Sequence, residues 1–415
     1  MMQLYYENYL VGEIIEQNDI PPRFLYQDSW LNLEGAFPLS TTMPLRAEPW
    51  DWSHLAPWLI NLLPEDHEAI RMIARILDVP HTDILALLGR LGRDTSGAIS
   101  FAERGSTELE AREIESEEAL ERIINELPRK PFLAGEDGVS MSLAGVQTKL
   151  AVRITDAGSI AVPLNGTASS HILKPDSERL WGGVHNEALC LTLAGLVGLN
   201  APAVTTGKAG KRHYLLVERY DRLATSGHLR RLHQEDFCQA LGLPPSAKYQ
   251  HNQSNGPKGS FAKIVDRLRA VGGGADVYQL WDAMVFNVLC CNTDAHLKNY
   301  SLLIEGDRVK LAPIYDVMCA KVWDGITENL ALDVADKRRG DDLAGRHWKR
   351  EAEKCGLSQR SALQRVVRLA STVVDQLKTA VERVEAMPAG GHVMLAEIRN
   401  EVTARCSRIL NNIGN

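Results

Sequence analysis

The sequence lacks the long apolar runs and the cysteine pairs that mark membrane and secreted proteins. No stretch of its 415 residues approaches 18 consecutive apolar residues, and the N-terminus has no basic segment followed by an apolar one. The seven cysteines are odd in number and form no C-x-x-C pair, which favours free thiols in a reducing compartment. We therefore expect a cytoplasmic protein with no membrane contact.

An excess of positive charge is missing as well. The formal net charge of −7 argues against broad attraction to nucleic acid, which needs a basic surface. Three basic clusters, "GKAGKRH", "LRRLH" and "DKRRGDD", are expected to be solvated faces. Any contact with DNA is therefore expected mainly through a basic partner.

The chain is too long for a single hydrophobic core, and its composition divides it into four segments. Residues 1–102 contain strand-like runs followed by two helical stretches. The acidic residues 103–130 fit either a linker or a solvated helix whose apolar residues dock lightly, and we take the linker as the prediction. Strand patterns dominate residues 131–223, with a hairpin signal at "ITDAGSI". Residues 224–415 are mainly helical. The predicted fold class is α+β.

One short segment, "CNTDAHLKNY", places unusual polarity directly after an apolar helix. Apolar residues recur with helical spacing between Val277 and Leu289, which predicts a buried helix. Asp294 and Asn299 follow it with the D-x-x-x-x-N spacing of a kinase catalytic loop. A surface loop would explain the polarity alone, so the hypothesis depends on partners elsewhere in the chain.

Candidate partners lie upstream. "MSLAGVQTKLAVRI" places a small-residue loop from Ser142 to Gln147 before a strand, Lys174 lies near the end of a second strand, and Glu187 lies in the first turns of the next helix. Protein kinases use a strand lysine that faces a helix acid to hold the α- and β-phosphates of ATP. Taken alone, these features read more simply as a turn, a surface lysine and an acid that matches the helix dipole.

Downstream, the hairpin "YSLLIEGDRVKLAPIYD" ends at Asp316. With Asp316, the candidate polar residues follow one another along the chain in the order found in kinases. Phosphoryl transfer needs a carboxylate at the attacking hydroxyl, oxygen ligands for Mg²⁺ and a cation at the phosphates. Asp294, the pair Asn299 and Asp316, and Lys174 match these roles in turn. Their conjunction favours a phosphoryl-transfer site over an unrelated polar loop and turn.

With these motifs, the sequence resembles the HipA kinases, the toxin halves of bacterial toxin–antitoxin pairs. "PWLINLLPEDHEAIRMIARIL" and "LLGRLGRDTSGAIS" resemble the small N-terminal α/β domain of that family. The kinase segments are "SLAGVQTKLAV", "VERYDR", "HQEDFCQALGLPPSAKYQ" and "NTDAHLKNYSLL…LAPIYDV". The resemblance implies a two-lobed protein-kinase-like fold, with an N-lobe at 131–223, a helix-rich C-lobe at 224–415 and ATP between them.

The resemblance also assigns roles to residues. The loop around the phosphates would comprise Ala144, Gly145, Val146, Gln147, Thr148 and Lys149. The adenine edge would meet Glu218, Arg219 and Tyr220, and His296 would lie near the nucleotide. Ser142 would be a site of autophosphorylation that disables the enzyme.

In function, the resemblance implies a serine/threonine-protein kinase that uses ATP and Mg²⁺ and arrests growth. The family suggests an aminoacyl-tRNA synthetase as the protein substrate, although no residue of the sequence identifies it. A small helix-turn-helix antitoxin is the expected partner, and DNA would be reached mainly through that antitoxin.

Some features depart from the family or leave alternatives open. Thr148 stands where many relatives carry proline, and Val317 and Met318 follow Asp316 in place of Phe-Gly. "DAHLKN" also fits the D-x-H-x-x-N order of phosphoinositide kinases, so a lipid or small-molecule kinase is one alternative. A binding module without catalysis is another.

No pair of the remaining histidines has metal-ligand spacing with a supporting acid, so structural or surface roles are expected for them.

Overall fold

A computed structural model describes residues 1–17, 20–102, 110–177, 179–225, 228–251 and 258–414. Helices and a mixture of small sheets build it, so the predicted α+β, two-lobed kinase-like class is confirmed. All seven cysteines are buried and free, as the absence of pairs predicted. Among the described residues, no helix combines the length and the apolar character needed to cross a membrane.

An antiparallel sheet and four helices form the N-terminal part of the chain. The strand order is β3-β2-β1-β4. Aspartates cap two of the helices, because the side chains of Asp66 and Asp83 accept backbone N–H groups at the starts of α3 and α4. The elements are β1 (Met2–Tyr6), β2 (Tyr9–Gln17), β3 (Ile20–Tyr26), α1 (Asp28–Leu31), α2 (Trp52–Ile60), α3 (His67–Leu77), α4 (Ile84–Leu91) and β4 (Ile99–Ser100).

The segment predicted as a linker is folded where the structure describes it. Strand β5 (Ala111–Glu113) pairs with a strand of the next sheet, and helix α5 (Glu117–Glu126) begins at a Ser116 cap. Leu120 and Ile124 are buried, since their spacing forms a narrow apolar stripe that the acidic composition masks. This part therefore differs from the predicted linker, and residues 103–109 lie outside the described residues.

A six-stranded sheet and one buried helix form the N-lobe. The strand order is β5-β7-β6-β8-β10-β9, and the pairing of Ile154 with Ile160 confirms the predicted hairpin. Most of the first three turns of helix α6 are buried. The elements are β6 (Leu150–Ile154), β7 (Ile160–Pro163), β8 (His171–Pro175), α6 (Gly183–Leu196), β9 (Val204–Ala209) and β10 (Arg212–Glu218).

The C-lobe is built on long helices, with small sheets at its edge. The helix predicted around Val277 to Leu289 is buried as expected, and the first strand spans the predicted domain boundary at residue 224. Its elements are β11 (Arg222–Thr225), β12 (His228–Arg231), β13 (His233–Asp236), α7 (Phe237–Ala240), α8 (Phe261–Val271), α9 (Gly274–Leu289), β14 (Ser301–Glu305), β15 (Arg308–Leu311), β16 (Asn329–Val334), β17 (Lys337–Arg339), α10 (Gly345–Lys354), α11 (Gln359–Glu385) and α12 (Met394–Asn411).

A buried ion cluster joins the N-terminal part to the lobes. The carboxylate of Asp94 lies 2.8 Å from Arg222, 3.2 Å from Arg231 and 3.6 Å from Arg219. Asp221 adds a second buried carboxylate, 2.7 Å from Arg219. The prediction that "LRRLH" is a solvated face is therefore wrong for Arg231, whose charge is used inside the protein.

Candidate active site

The catalytic-loop motif folds into a compact turn after helix α9. The side-chain amide of Asn299 donates to the backbone carbonyl of Asp294 at 2.9 Å, so the two ends of the motif are joined. The Asp294 backbone N–H donates to Asn292 Oδ1 at 3.1 Å, which fixes the start of the turn. These bonds leave the carboxylate of Asp294 exposed at the surface of the motif.

A tyrosine that sequence reasoning missed contacts the candidate catalytic acid. The hydroxyl of Tyr249 donates to Asp294 Oδ1 at 2.6 Å. Desolvation by the surrounding protein raises the pKa of Asp294, and this hydrogen bond counteracts the rise. Tyr249 lies within the family-like segment "HQEDFCQALGLPPSAKYQ", but no local pattern in the sequence indicates that it meets Asp294.

Lys174 joins the two lobes through two carboxylates. Its Nζ lies 2.7 Å from Glu187 on α6 and 2.8 Å from Asp316, so the predicted lysine–acid pair is present. Burial favours a low pKa for Lys174, but the charges of Asp316 and Glu187 outweigh burial and raise it. Desolvation likewise opposes ionisation of Asp316, yet Lys174 and Lys149 hold the pKa of that carboxyl well below its usual range.

The predicted phosphate loop curls around a second lysine. Lys149 Nζ donates to the Ala144 carbonyl, and a Cβ added to Gly145 would lie 2.6 Å from that nitrogen. Gly145 also has a φ of +103°, which side chains rarely permit. Burial and the neighbouring charge of Lys174 lower the pKa of Lys149 to about 8. The loop therefore places beside Lys174 a second lysine, whose positive charge is lost as the pH rises through about 8.

Ser142 lies at the start of this loop but is fully buried. Its hydroxyl donates to the Leu62 carbonyl at 2.8 Å, and its backbone N–H donates to the Asp94 carbonyl at 3.0 Å. Gly145 is tied to the same N-terminal region, since its carbonyl accepts from the Glu65 N–H at 3.2 Å. The structure thus holds the predicted phosphorylation site against the N-terminal part of the chain.

The three hinge residues lie at the end of strand β10 and just after it, with different exposures. Glu218 is exposed, whereas the guanidinium of Arg219 is enclosed in the ion cluster with Asp221. The side chain of Arg219 is therefore turned away from the contact predicted at the adenine edge, and its backbone N–H already donates to the Ser170 carbonyl at 2.9 Å. The ring of Tyr220 stacks on Tyr315 at 5.5 Å, next to Asp316 in the chain.

His296 lies inside the catalytic-loop motif and is buried against Tyr249. Its ring centroid lies 5.1 Å from that of Tyr249, and its Nδ1 has no hydrogen-bond partner within the described part of the chain. Burial and the charge of Lys248 lower the pKa of His296 well below its usual value, so the ring is neutral at pH 7. A neutral imidazole with a spare nitrogen can contact a nucleotide without adding charge.

Side chains from the N-terminal region also reach the catalytic loop. Lys298 donates to Asn61 Oδ1 at 2.8 Å and to Asp236, and Lys248 lies 2.6 Å from Glu65. Lys298, which the sequence places inside the motif, is therefore a buried structural cation. Glu65 and Lys248 were missed, because long-range contacts of this kind leave no local pattern.

The donor set suits a hard divalent cation. One oxygen of Asp316 contacts Lys174, which leaves its other oxygen free for a ligand. The Asn299 amide nitrogen is used at Asp294, which leaves its side-chain oxygen free as well. Carboxylate and amide oxygens are the ligands that Mg²⁺ prefers in proteins, so the residues present fit that ion.

Two lobes joined by a strand lysine, a helix acid and an aspartate, with a catalytic-loop motif beside them, define a protein kinase. Two family models extend this to a narrower group. The HipA N-terminal domain model matches residues 2–102, and the HipA-like C-terminal domain model matches residues 141–377. The chain belongs to the HipA family.

Individual relatives cover nearly the whole chain. The predicted kinase Y4mE of Sinorhizobium fredii is 34% identical over 92% of this chain and 91% of its own length. The serine/threonine-protein kinase toxin HipA of Shewanella oneidensis is 28% identical over 93% of this chain and 90% of its own length. Among solved structures, a complex of Shewanella oneidensis HipA, HipB and operator DNA matches with a TM-score of 0.87 and 26% identity, covering 100% of this chain and 98% of that chain.

Proposed function

We propose that this kinase is a growth-arresting toxin that transfers the γ-phosphate of ATP to a serine or threonine hydroxyl of a protein. One observation carries the proposal. Lys174 contacts both Glu187 and Asp316, while the carboxylate of Asp294 stays exposed. The similarity to the Shewanella oneidensis kinase toxin, over nearly the full length of both chains, supports the same activity.

In this proposal, two lysines receive the phosphates. Lys174 is oriented by Glu187 and is charged at pH 7, because its pKa is raised. Lys149 lies beside it in a loop whose Gly145 lets the backbone approach a ligand closely. When ATP enters, phosphate oxygens replace part of the contact between Lys174 and Asp316, so Asp316 becomes free to turn toward a cation.

Asp294 acts on the protein hydroxyl. Its carboxylate orients that hydroxyl toward the γ-phosphate and accepts its proton, and the bond from Tyr249 fixes its direction. The raised pKa of Asp294 brings it closer to that of an effective base. Asn299 holds the turn in which Asp294 lies.

Asn299 and Asp316 are the proposed ligands of Mg²⁺. The ion would neutralise charge that develops on the β- and γ-phosphates during transfer. Before the ion binds, the positive charge near Asp316 comes from Lys174 and Lys149, which keep that carboxyl ionised.

Ser142 is the proposed site of inhibitory autophosphorylation. Because its hydroxyl is buried against Leu62, the loop must leave the N-terminal region before Ser142 can be phosphorylated. A phosphate adds a charge of about −1.5 to −2, which the buried position does not accommodate. The modified loop would therefore stay displaced and would no longer hold ATP.

A small helix-turn-helix antitoxin is the proposed partner. The similar Shewanella oneidensis structure contains HipA together with HipB and operator DNA. With a net charge of −7, this chain would reach DNA mainly through such a basic partner. The proposed protein substrate is an aminoacyl-tRNA synthetase, which phosphoproteomics after brief expression of the wild type and of Asp294→Asn would identify.

The central test is transfer of radiolabelled phosphate from ATP by the purified protein. We expect Mg²⁺-dependent labelling of protein, and loss of labelling in Lys174→Ala, Asp294→Asn and Asp316→Asn with the fold retained by circular dichroism. Labelling of lipids or small alcohols in place of protein would favour the lipid or small-molecule kinase. ATP binding with no turnover in the presence of Mg²⁺ would favour a binding module.

A further inference from the structure

Three potential metal ligands converge beside the Lys174–Glu187 pair. Asp176 directly follows strand β8, His185 lies in the first turn of α6, and His213 lies on the neighbouring strand β10. Their ligand atoms all lie within 4.8 Å of one another. The Asp176 N–H donates to the His213 carbonyl at 3.0 Å, so strand pairing brings these two residues together. Sequence spacing gave no sign of this cluster.

His185 is the best-defined of the three. Its side chain is fully buried, and its Nε2 lies 3.2 Å from the Gly390 carbonyl, so Nε2 carries the proton in the neutral ring. The lone pair is then on Nδ1, which has no hydrogen-bond partner in the described residues. An unpaired polar atom on a fully buried side chain calls for an explanation. Metal-binding histidines commonly donate their second ring nitrogen to a backbone carbonyl in this way.

Asp176 and His213 complete the set. Asp176 Oδ1 accepts from the Val184 N–H at 2.8 Å, which orients the carboxylate. Its Oδ2 lies 3.9 Å from His213 Nδ1 and remains available. The nearby guanidinium of Arg212 donates to the backbone carbonyl of Asp176, at 2.8 Å, and not to its carboxylate. The negative charge of Asp176 is therefore directed at the two imidazoles.

We propose that Asp176, His185 and His213 bind one zinc ion. Imidazole nitrogens with one carboxylate oxygen match the ligands of Zn²⁺, and water would complete a four-coordinate site. Ligands at about 2.0–2.1 Å in a tetrahedron lie about 3.4 Å apart, so the cluster must contract by up to about 1.4 Å. Asp176 and His213 are partly exposed, which leaves their side chains room to move and gives the ion a route inward.

A fourth histidine packs on the site without completing it. The ring of His392 stacks on His185 with a centroid distance of 4.7 Å, which by itself could explain why histidines gather here. However, His392 Nδ1 accepts from the Met394 N–H at 3.3 Å, so the proton of the neutral ring lies on Nε2 and neither nitrogen offers a lone pair to a metal ion. Stacking also leaves Nδ1 of His185 unexplained, whereas a metal ion accounts for it.

The position of the site indicates a structural role for the ion. Asp176 comes two residues after Lys174, and His185 comes two residues before Glu187. A bound ion would therefore cross-link β8, β10 and α6, the elements that align the lysine–acid pair. This inference does not rest on the proposed toxin activity, because zinc binding can be measured without any substrate.

The test uses the full-length protein after treatment with a chelator. We expect one equivalent of Zn²⁺ by elemental analysis and by competition with a chromophoric chelator, and a rise in Tm on zinc addition. His213→Gln and Asp176→Asn should each weaken zinc binding by at least about 100-fold and remove the rise in Tm, because loss of a ligand costs at least as much as loss of a partner that only orients a ligand. His228→Gln, on the exposed start of β12, is the matched histidine control and should bind like the wild type.

Two further measurements make the outcome decisive. Asp316→Asn should retain the zinc. If this variant lost the zinc, the ion would have to lie at the nucleotide site, and the proposal would be overturned. Substitution with Co²⁺ should give the visible absorption of a four-coordinate site in the wild type and not in Asp176→Asn. If His213→Gln does not fold, Asp176→Asn decides, because its amide oxygen can still accept from Val184. A wild-type protein that binds no zinc stoichiometrically would refute the site.

Discussion

The hydroxyl of Tyr249 and the carboxylate of Asp294 are joined by a hydrogen bond of 2.6 Å, although the two residues lie on different segments of the C-lobe. The bond gives the candidate base a fixed direction. It also lowers the pKa of Asp294 against the opposing effect of desolvation. The candidate catalytic aspartate therefore depends on a residue outside its own motif.

Replacing this tyrosine should affect both the rate and its pH dependence. In Tyr249→Phe we expect kcat to fall about 10-fold, the value of a hydrogen bond of about 1.4 kcal/mol to a charged group. Because the bond lowers the pKa of Asp294, the acid limb of the pH–rate profile should move to higher pH. Steady-state kinetics between pH 5 and 8 would measure both effects.

The exposed Tyr9→Phe is the control for this substitution and should behave like the wild type. A Tyr249→Phe protein with an unchanged rate and an unchanged acid limb would show that the bond has no role in transfer.

Lys149 should couple ATP binding to proton uptake. Its pKa of about 8 means that free Lys149 loses its charge as the pH rises through 8, whereas phosphates favour the charged form. ATP affinity should therefore fall as the pH rises above 8, and binding near that pH should take up a fraction of a proton. Calorimetry in two buffers of different ionisation enthalpy would measure the uptake.

Lys149→Arg tests the assignment, because a guanidinium stays charged over this pH range. This variant should bind ATP without buffer-dependent heat near pH 8. Proton uptake that persists in Lys149→Arg would assign it to a different group.

Asp94 should be important for stability, since it balances three buried arginines. Removing its charge in Asp94→Asn leaves Arg219, Arg222 and Arg231 with one carboxylate fewer, which should cost about 3–5 kcal/mol of the free energy of unfolding. Urea denaturation at pH 7 would measure the change. Asp156→Asn, at an exposed turn, should change it by less than about 0.5 kcal/mol.

Asp94 should also make the free energy of unfolding depend on pH in the acid range. Desolvation opposes ionisation of Asp94, but Arg222, Arg219 and Arg231 outweigh it and hold the pKa of that carboxyl well below its unfolded value. Its contribution is then present above the unfolded pKa of about 3.9 and is lost as the pH falls toward the folded pKa. Below pH 4 the wild type should therefore lose more stability than Asp94→Asn loses.

Phosphorylation of Ser142 should release the phosphate loop. After incubation with Mg²⁺ and ATP, we expect intact-mass spectrometry to show one added phosphate at Ser142, and limited proteolysis to cut residues 140–149 faster. The physical reason is that the phosphate cannot occupy the buried position against Leu62. Asp294→Asn under the same conditions should remain unmodified and protected, and equal protection of the modified wild type would contradict the expected displacement.

Sequence patterns predicted the parts of the fold that depend on local spacing. The buried helix before the catalytic-loop motif follows from apolar periodicity, and the long helices α11 and α12 lie in the part of the chain predicted to be mainly helical. The Lys174–Glu187 pair followed from a strand and a helix in a known order. By contrast, helix α5 was masked by its acidic composition.

Long-range relationships could not be predicted in the same way. The burial of Arg219 and Arg231 with Asp94 depends on contacts across more than one hundred positions of the chain. The same holds for Tyr249 at Asp294 and for the cluster of Asp176 with two histidines. Neither periodicity nor motif spacing carries information about such pairs, because each residue alone fits an ordinary surface role.

The segment from Asn61 to Glu65 contacts the two halves of the candidate active site at once. Leu62 accepts from Ser142 and Glu65 donates to Gly145 in the phosphate loop, while Asn61 accepts from Lys298 beside the catalytic turn. A molecule bound to the N-terminal domain that moves this segment must therefore change the affinity for ATP. Thermodynamic reciprocity then requires ATP to change the affinity for that molecule by the same factor. Bound nucleotide would therefore alter binding of the partner, as the partner alters binding of the nucleotide.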